Sequence, residues 1–431
     1  MTQASARIRF LPNASSATRP EAVTRRALVV GAGIGGLAAA VALARQGFHV
    51  DVFERAPAPQ EFGAGLQLTP NATRALARLG ALAAAREVAT APSAVRVLRG
   101  ADGAELARLP VAGAERRWGA PYLAVHRVDL HRVLAETAAA TGQVALHFGA
   151  EVAAVAGEAQ AASIGVKLGA VSRSETGETI VGADGLRSLV RARLGGGEAD
   201  APRFSYRVAF RATVEAEWVA PRWRDKDVTL RLGPRAHLVH YPLRGGSLIN
   251  LVAVIESNWR SATGPQTTDD DPWDGEADRE TLARAFRDWS HDARDLIAAP
   301  KHWRAWPLMR RPPLDRFAFG RIALIGDAAH PMSPFLAQGA AQAIEDADAL
   351  ARRLGETDDV EAALAAYSTD RVARANRVQR EAALATFLVT TSGVSFFGVG
   401  GAFWGLVVGA AILFLDRARQ KRSPPLQSKA L

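Results

Sequence analysis

The 431-residue chain contains no cysteine, and that absence removes several chemistries at once. A disulfide framework, a thiolate nucleophile, a redox dithiol and a cysteine-held iron–sulfur cluster are all excluded. Any electron transfer must therefore be borrowed from a bound cofactor. A dense basic run is missing too: 53 Lys+Arg against 44 Asp+Glu leave a net charge of +9 carried by scattered arginines. No recognition motif accompanies that charge, so we expect no nucleic-acid partner. Residues 1–26 lack the apolar core of a secretory signal; polar, basic and rich in Ser, Ala and Pro, they read as a disordered leader. At the other end, residues 382–415 hold no charged side chain at all.

Order is expected to begin at Ala27-Leu28-Val29-Val30, a buried-type strand that stops at Gly31, Gly33, Gly35 and Gly36. An Ala/Leu-rich helix over residues 37–46 and a second strand over 48–53, ending on Glu54, complete a βαβ unit. Residues 63–150 alternate Gly-rich turns with helical stretches, and residues 204–255 change to strands of period two. An acidic surface loop over 262–278, a helix over 279–290, a buried-type strand at 321–325 and helices over 339–354 and 360–380 follow. The implied division is a leader (1–26), a discontinuous nucleotide-binding domain (27–200 and 315–380), an inserted sheet region (201–314) and an apolar tail with a basic end (381–431).

Three segments far apart in sequence carry phosphate and ribose chemistry. Gly31-x-Gly33-x-x-Gly36 lies between a strand and a helix, where glycines allow a tight turn, close approach of a pyrophosphate and close helix–strand packing. The anion would rest on the helix amino terminus. Glu54, 23 positions after Gly31, sits where a carboxylate accepts hydrogen bonds from ribose hydroxyls, which favours a free 2′-hydroxyl as in FAD or NAD. The second segment, Gly182-Ala183-Asp184-Gly185-Leu186-Arg187-Ser188, reads equally as a ligand loop and as a turn leading into a helix cap. In the third, Gly326-Asp327-Ala328-Ala329-His330-Pro331, the acid at a strand end could hold a ribityl hydroxyl. The helix beginning near Gly339 would then point its amino-terminal dipole at negative charge on a reduced flavin.

Together these segments resemble the FAD-dependent aromatic hydroxylases, the single-component flavoprotein monooxygenases that include salicylate hydroxylase and 3-hydroxybenzoate 6-hydroxylase. The resemblance spans about residues 27–380 and is supported by the run from Gly63 through Gly65 and Gln67 to Asn71, by His126-Arg127-Val128-Asp129-Leu130 and by His240-Tyr241-Pro242. It implies an α/β fold of the p-hydroxybenzoate hydroxylase type: a Rossmann-type FAD domain, an inserted, mostly antiparallel substrate sheet and carboxy-terminal helices. It also implies noncovalent FAD, with Gly31, Gly33 and Gly36 at the pyrophosphate, Glu54 at the adenosine ribose and Arg127 at the linker. Asp327 would hold the ribityl chain, and Gly339 and Ala340 would offer amides to the isoalloxazine. Arg55, Val152 and Asp184 complete the implied cofactor set. NADH or NADPH would be the transient donor, O₂ the oxidant, and hydroxylation of a small aromatic substrate through a flavin C4a-hydroperoxide the reaction.

For the substrate, the strand around residues 237–241 puts His237, Val239 and Tyr241 on one face and His240 on the other. His237 and Tyr241 could together deprotonate and hold a phenol, or could be a core histidine and a sheet tyrosine. The hydroxybenzoate hydroxylases resembled have a His and a Tyr at the matching positions, but carry a glutamine in the loop where this chain has Pro334. Arg211 could pair with a substrate carboxylate or be an exposed strand arginine. With no acidic cluster beside the histidines, we expect no metal.

The uncharged tail is the chief departure from the resemblance. Residues 396–415 are long enough to cross a bilayer, and Gly401, Gly405 and Gly409 share one helix face. A simple span would export Arg417, Arg419, Lys421 and Arg422, against the positive-inside tendency. A re-entrant or surface-lying segment and a helix buried in a homodimer both avoid that conflict, and both stay open. The expected location is the cytoplasm, free or at the membrane surface. Two other functions fit the same cofactor: a flavin epoxidase or reductase acting on an isoprenoid or quinone-pathway compound, and a flavin redox sensor without turnover.

Overall fold

The computed structural model describes residues 25–59, 64–157, 160–194, 197–259, 275–390, 395–396 and 399–400. The leader up to residue 24, most of the 262–278 loop and most of the uncharged tail lie outside these residues. No described helix is long and apolar enough to cross a membrane.

A six-stranded sheet carries the βαβ unit. Its order is Ala318–Phe319, Ile322–Leu324, Thr179–Gly182, Arg26–Val30, His49–Glu54 and Val144–Phe148, parallel except for the first pair. Thus the three motif-bearing strands, at 26–30, 179–182 and 322–324, are neighbours at the centre, and their carboxyl ends meet on one edge. In open α/β sheets that edge is where ligands bind. The first strand begins at Arg26, inside the expected leader: its backbone pairs with His49, and its side chain is paired with Asp51 (2.8 Å) and Glu175 (2.7 Å). The helix Ile34–Ala44 is buried on every face except at Gly35. Its small alanines let it fit between the sheet and the long helix Gly339–Glu356.

The second large element is an eight-stranded sheet, antiparallel except where Val228–Gly233 runs parallel to Ala94–Arg99. Its middle strands are Arg203–Glu215, Leu248–Glu256 and Ala236–Leu243. It reaches beyond the inserted region expected from sequence, taking in Ala94–Arg99 and Glu105–Pro110. The second of these is a short, mostly exposed edge strand, which explains why the 63–150 segment reads as turns and helices. Register fixes the inner face: Arg211 is opposite Val252, Val252 opposite Val239, His237 opposite Val254 and Tyr241 opposite Asn250. Cross-strand partners share a face, so these residues form one wall.

A small antiparallel sheet of Gly65–Leu68, Leu123–His126 and Ala89–Thr90 packs onto that wall. Gly65 is the contact point. A Cβ there would lie 2.6 Å from the Tyr241 ring and 2.8 Å from Asn250, while its N–H donates to Asn250 Oδ1 at 2.7 Å.

Candidate active site

The glycines of the first turn meet three different demands. Gly31 has φ +100°, and a Cβ there would sit 2.5 Å from the Ala183 carbonyl oxygen; a Cβ on Gly36 would sit 1.9 Å from the Gly31 oxygen. Around Gly33 nothing lies within 4 Å. Two glycines therefore close the turn, and the third opens a cradle in front of helix amides that no side chain caps. Such a cradle fits a pyrophosphate. Ala32, between them, is held from both sides: its N–H donates to Glu54 Oε2 (2.9 Å) and its carbonyl accepts from His131 Nε2 (2.7 Å). Burial lowers the His131 pKa, so the ring is neutral with the proton on Nε2. Glu54 Oε1 accepts from the Ala56 amide at 2.9 Å, and its oxygens still have lone pairs for a ribose hydroxyl.

The second motif forms the turn and helix cap. Asp184 turns inward: Oδ1 accepts from the Ser188 hydroxyl (2.5 Å) and Oδ2 from the Val190 amide (3.1 Å). Ser188 in turn caps the short helix Leu189–Arg193. Burial raises the Asp184 pKa, opposed by these donors. These bonds tie the Asp184 carboxylate to the turn, and Ala183 and Gly185 on either side line the cavity, which Asp184 itself does not. From that helix Arg191 donates to the carbonyls of Ala329 (2.9 Å) and Ala328 (3.3 Å), tying the second motif to the third.

In the third motif Asp327 is the one exposed residue of the turn, its neighbours on both sides being buried, and it lines the cavity. Burial raises its pKa, while His330, Arg127 and Arg211 pull it back. The helix Gly339–Glu356 starts beside it, and Gly339 and Ala340 line the same space. Its amino terminus is anchored through Gln338, whose Nε2 donates to Thr69 Oγ1 (2.9 Å) and whose Oε1 accepts from Asn71 Nδ2 (3.1 Å).

One cavity of about 350 Å³ joins all of this to the sheet wall: Gly33, Arg127, Asp327 and Gly339 line it together with Arg211, His237 and Tyr241. His237 is 5% exposed; burial, with Arg207 nearby, lowers its pKa to about 4, leaving a neutral imidazole. Its ring lies against Phe335, centroids 4.9 Å apart. Burial drives the Tyr241 pKa well above the ordinary phenol value, so this side chain donates a proton bond and is no base at neutral pH. Gln67, on the same cavity wall, accepts the Tyr122 hydroxyl at 2.5 Å. Arg211 stands over the Trp306 ring at 5.1 Å. Burial and the nearby Arg127 lower its pKa to about 10, so it stays cationic. Among the described residues no ion-pair carboxylate reaches it. His240 faces the opposite side, accepting from Arg231 at 3.0 Å.

Gly33, Arg127, Asp327, Gly339, Ala340, His237 and Tyr241 therefore meet in one cavity, while Gly31, Gly36, Glu54 and Asp184 build the turns behind it. Arg55 is exposed beyond Glu54, and Val152 packs against the hydrophobic core; neither lines the cavity. The expected pairing of His237 and Tyr241 divides by role: both line the cavity, about 13 Å apart along the strand backbone, and of the two only His237 can accept a proton. Sequence reasoning assigned no role to Tyr122, Gln67, Trp306 or Phe335. For Gln67 a signal existed, since it lies two residues from Gly65 and so on the same strand face.

A family model described as FAD binding domain matches residues 24–382. A second, benzoate membrane transport protein, matches only residues 361–415 and carries no family assignment. The chain is 38% identical over 353 residues to 3-hydroxybenzoate 6-hydroxylase of Polaromonas naphthalenivorans, covering 81% of this chain and 84% of that protein. It is 34% identical over 368 residues to 6-hydroxynicotinate 3-monooxygenase of Bordetella bronchiseptica, covering 82% and 90%. Among solved structures, a salicylate hydroxylase substrate complex superposes with a TM-score of 0.75 at 25% identity, covering 94% of this chain and 99% of that one.

Proposed function

This chain belongs to the FAD-binding aromatic hydroxylases, and from that premise we propose that its substrate is a small ring bearing both a hydroxyl and a carboxylate. Arg211 carries the proposal: a cationic guanidinium on the cavity wall that makes no direct ion pair with a described carboxylate, Asp327 acting on it only at longer range. The similar proteins named above for hydroxybenzoate, hydroxynicotinate and salicylate chemistry support the same class.

FAD, reduced by NADH or NADPH, supplies the activation of O₂; overall, substrate, NAD(P)H, a proton and O₂ give the hydroxylated substrate, NAD(P)⁺ and water. The cradle at Gly33, the Glu54 carboxylate, Arg127, Asp327 and the amides of Gly339 and Ala340 would hold the cofactor. Arg211 binds the substrate carboxylate with charge-assisted hydrogen bonds. His237, neutral in the folded protein, accepts the proton of the ring hydroxyl and so makes the ring electron-rich. Tyr241, kept protonated, donates to a second polar atom of the substrate. Val239, Val252 and Val254 form an apolar floor that excludes water beneath the ring.

The test is NAD(P)H consumption by purified holoprotein across a panel of hydroxylated benzoates and nicotinates, with product mass determined. Stimulation with a gain of one oxygen is expected. Equal stimulation by phenols lacking the carboxylate would remove the Arg211 reading. NAD(P)H use supports action in the cytoplasm. The uncharged stretch 382–415 supports a contact with lipid or with a second copy of the chain. Equal detergent-free solubility of the full chain and of one ended after Arg380 would remove the lipid alternative.

A further inference from the structure

Behind the Gly326–His330 turn lies a charged cluster that no step above uses. Asp346, on the helix Gly339–Glu356, is fully buried. Its Oδ2 accepts two hydrogen bonds, from the Gly326 amide (2.9 Å) and from His330 Nε2 (2.6 Å). Its Oδ1 accepts from Arg371 Nε at 2.7 Å, and Arg371 also donates to Gln342 Oε1 at 2.8 Å. One carboxylate oxygen thus grips both ends of the five-residue turn that presents Asp327. Gly326 must adopt φ +57° to bring its amide there, and a Cβ on it would lie 3.1 Å from Ala343.

We propose that Asp346 is a positioning residue for Asp327, pinning Gly326 and His330 to one oxygen so that the Asp327 carboxylate is presented to the cofactor. Three features separate this from a simple buried ion pair between helices. The Arg371 link uses Oδ1 alone. The two bonds to Oδ2 both go to the turn, and they bracket Asp327. Arg191 holds the carbonyls of Ala328 and Ala329 from the other side, so the turn has little freedom except at the Asp327 side chain. The proposal rests on the assignment of Asp327 to FAD.

The experiment is a double-mutant cycle read as FAD affinity, by titrating apoprotein with FAD and following flavin fluorescence. Asp346→Asn keeps only one acceptor atom. It is expected to raise the FAD Kd about tenfold or more in the parent and less than about twofold in an Asp327→Ala background. The Tm of the apoprotein should fall equally in both backgrounds. The same factor in both backgrounds, or an unchanged Kd, overturns the proposal and leaves Asp346 as a helix-packing residue. An unchanged Kd in Asp327→Ala alone overturns the cofactor assignment as well. Should Asp346→Asn not fold, His330→Leu removes one of the two grips and leaves Arg371 paired. Its effect on Kd must show the same dependence on Asp327, and an additive result again overturns the proposal.

Discussion

His237 lies against the ring of Phe335, centroids 4.9 Å apart at 54°, and among the described residues no protein group hydrogen-bonds its nitrogens. The imidazole is oriented by packing and keeps its nitrogens for the cavity. His237→Gln should therefore lower kcat by about 10²-fold or more, as expected for loss of a general base. Tyr241→Phe removes only a donor and should cost about tenfold. Product formation, rather than NAD(P)H loss, is the measurement, since it separates hydroxylation from idle turnover.

Gly33 and Gly36 should respond in opposite ways to alanine. At Gly36 the added carbon would collide with the Gly31 oxygen, backbone against backbone, so Gly36→Ala should destabilise the apoprotein severely. At Gly33 the carbon meets nothing. Apoprotein stability should change by about 1 kcal/mol or less, while FAD affinity falls because the methyl occupies the cradle. Thermal melts of the apoproteins and FAD titrations check the pair. A Gly33→Ala protein with parent affinity would empty the cradle of meaning.

Arg211→Gln should raise KM for carboxylated rings by about tenfold to a hundredfold, the size of a lost charge-assisted pair. Decarboxylated analogues should be nearly unaffected. Steady-state kinetics on matched substrates, with and without the carboxylate, are the check.

Acid should destabilise this protein through its buried histidines. An unfolded imidazole takes up a proton near pH 6.5; folded His237 does so near 4 and folded His240 near 3, both chiefly because burial penalises the charged ring. Between these values the unfolded chain binds more protons, so stability falls as pH drops below about 6.5 and the loss is complete only below about 3. At about 1.4 kcal/mol per unit, His237 accounts for at most about 3 kcal/mol. Urea midpoints of the holoprotein should fall between pH 6 and 4, and less steeply in His237→Gln. An unchanged slope in that variant would mean that the ring is protonated in the folded state.

Legibility in the sequence followed the range of the interaction. The turn glycines were readable because their demands are set by backbone sterics within a few residues. The face shared by His237, Val239 and Tyr241 followed from the two-residue period of a strand, as did the placement of His240 opposite. Asp184 was undecided because a carboxylate before a helix serves a ligand or a cap equally well. Only the tertiary structure shows the Ser188 and Val190 donors that tie it to the cap. The strands at 94–99 and 105–110 are hard to read because both are short and half-exposed, without a clean apolar alternation.

What sequence determined by itself was the cofactor class. With no cysteine, a nucleotide turn whose glycines have local steric causes, and an acid at the next strand end, electron transfer had to be borrowed from a dinucleotide. Tertiary structure decided how the protein's own charges are used. Arg211, equally readable as a surface residue, stands on the cavity wall because the 203–215 strand lies two places from the 236–243 strand in the same sheet. Asp346, an ordinary acid in an alanine-rich helix, is buried beneath the turn that presents Asp327. Sheet order and helix packing bring together residues separated by tens to hundreds of positions, and whether a charge meets solvent, a partner or a substrate depends on those neighbours.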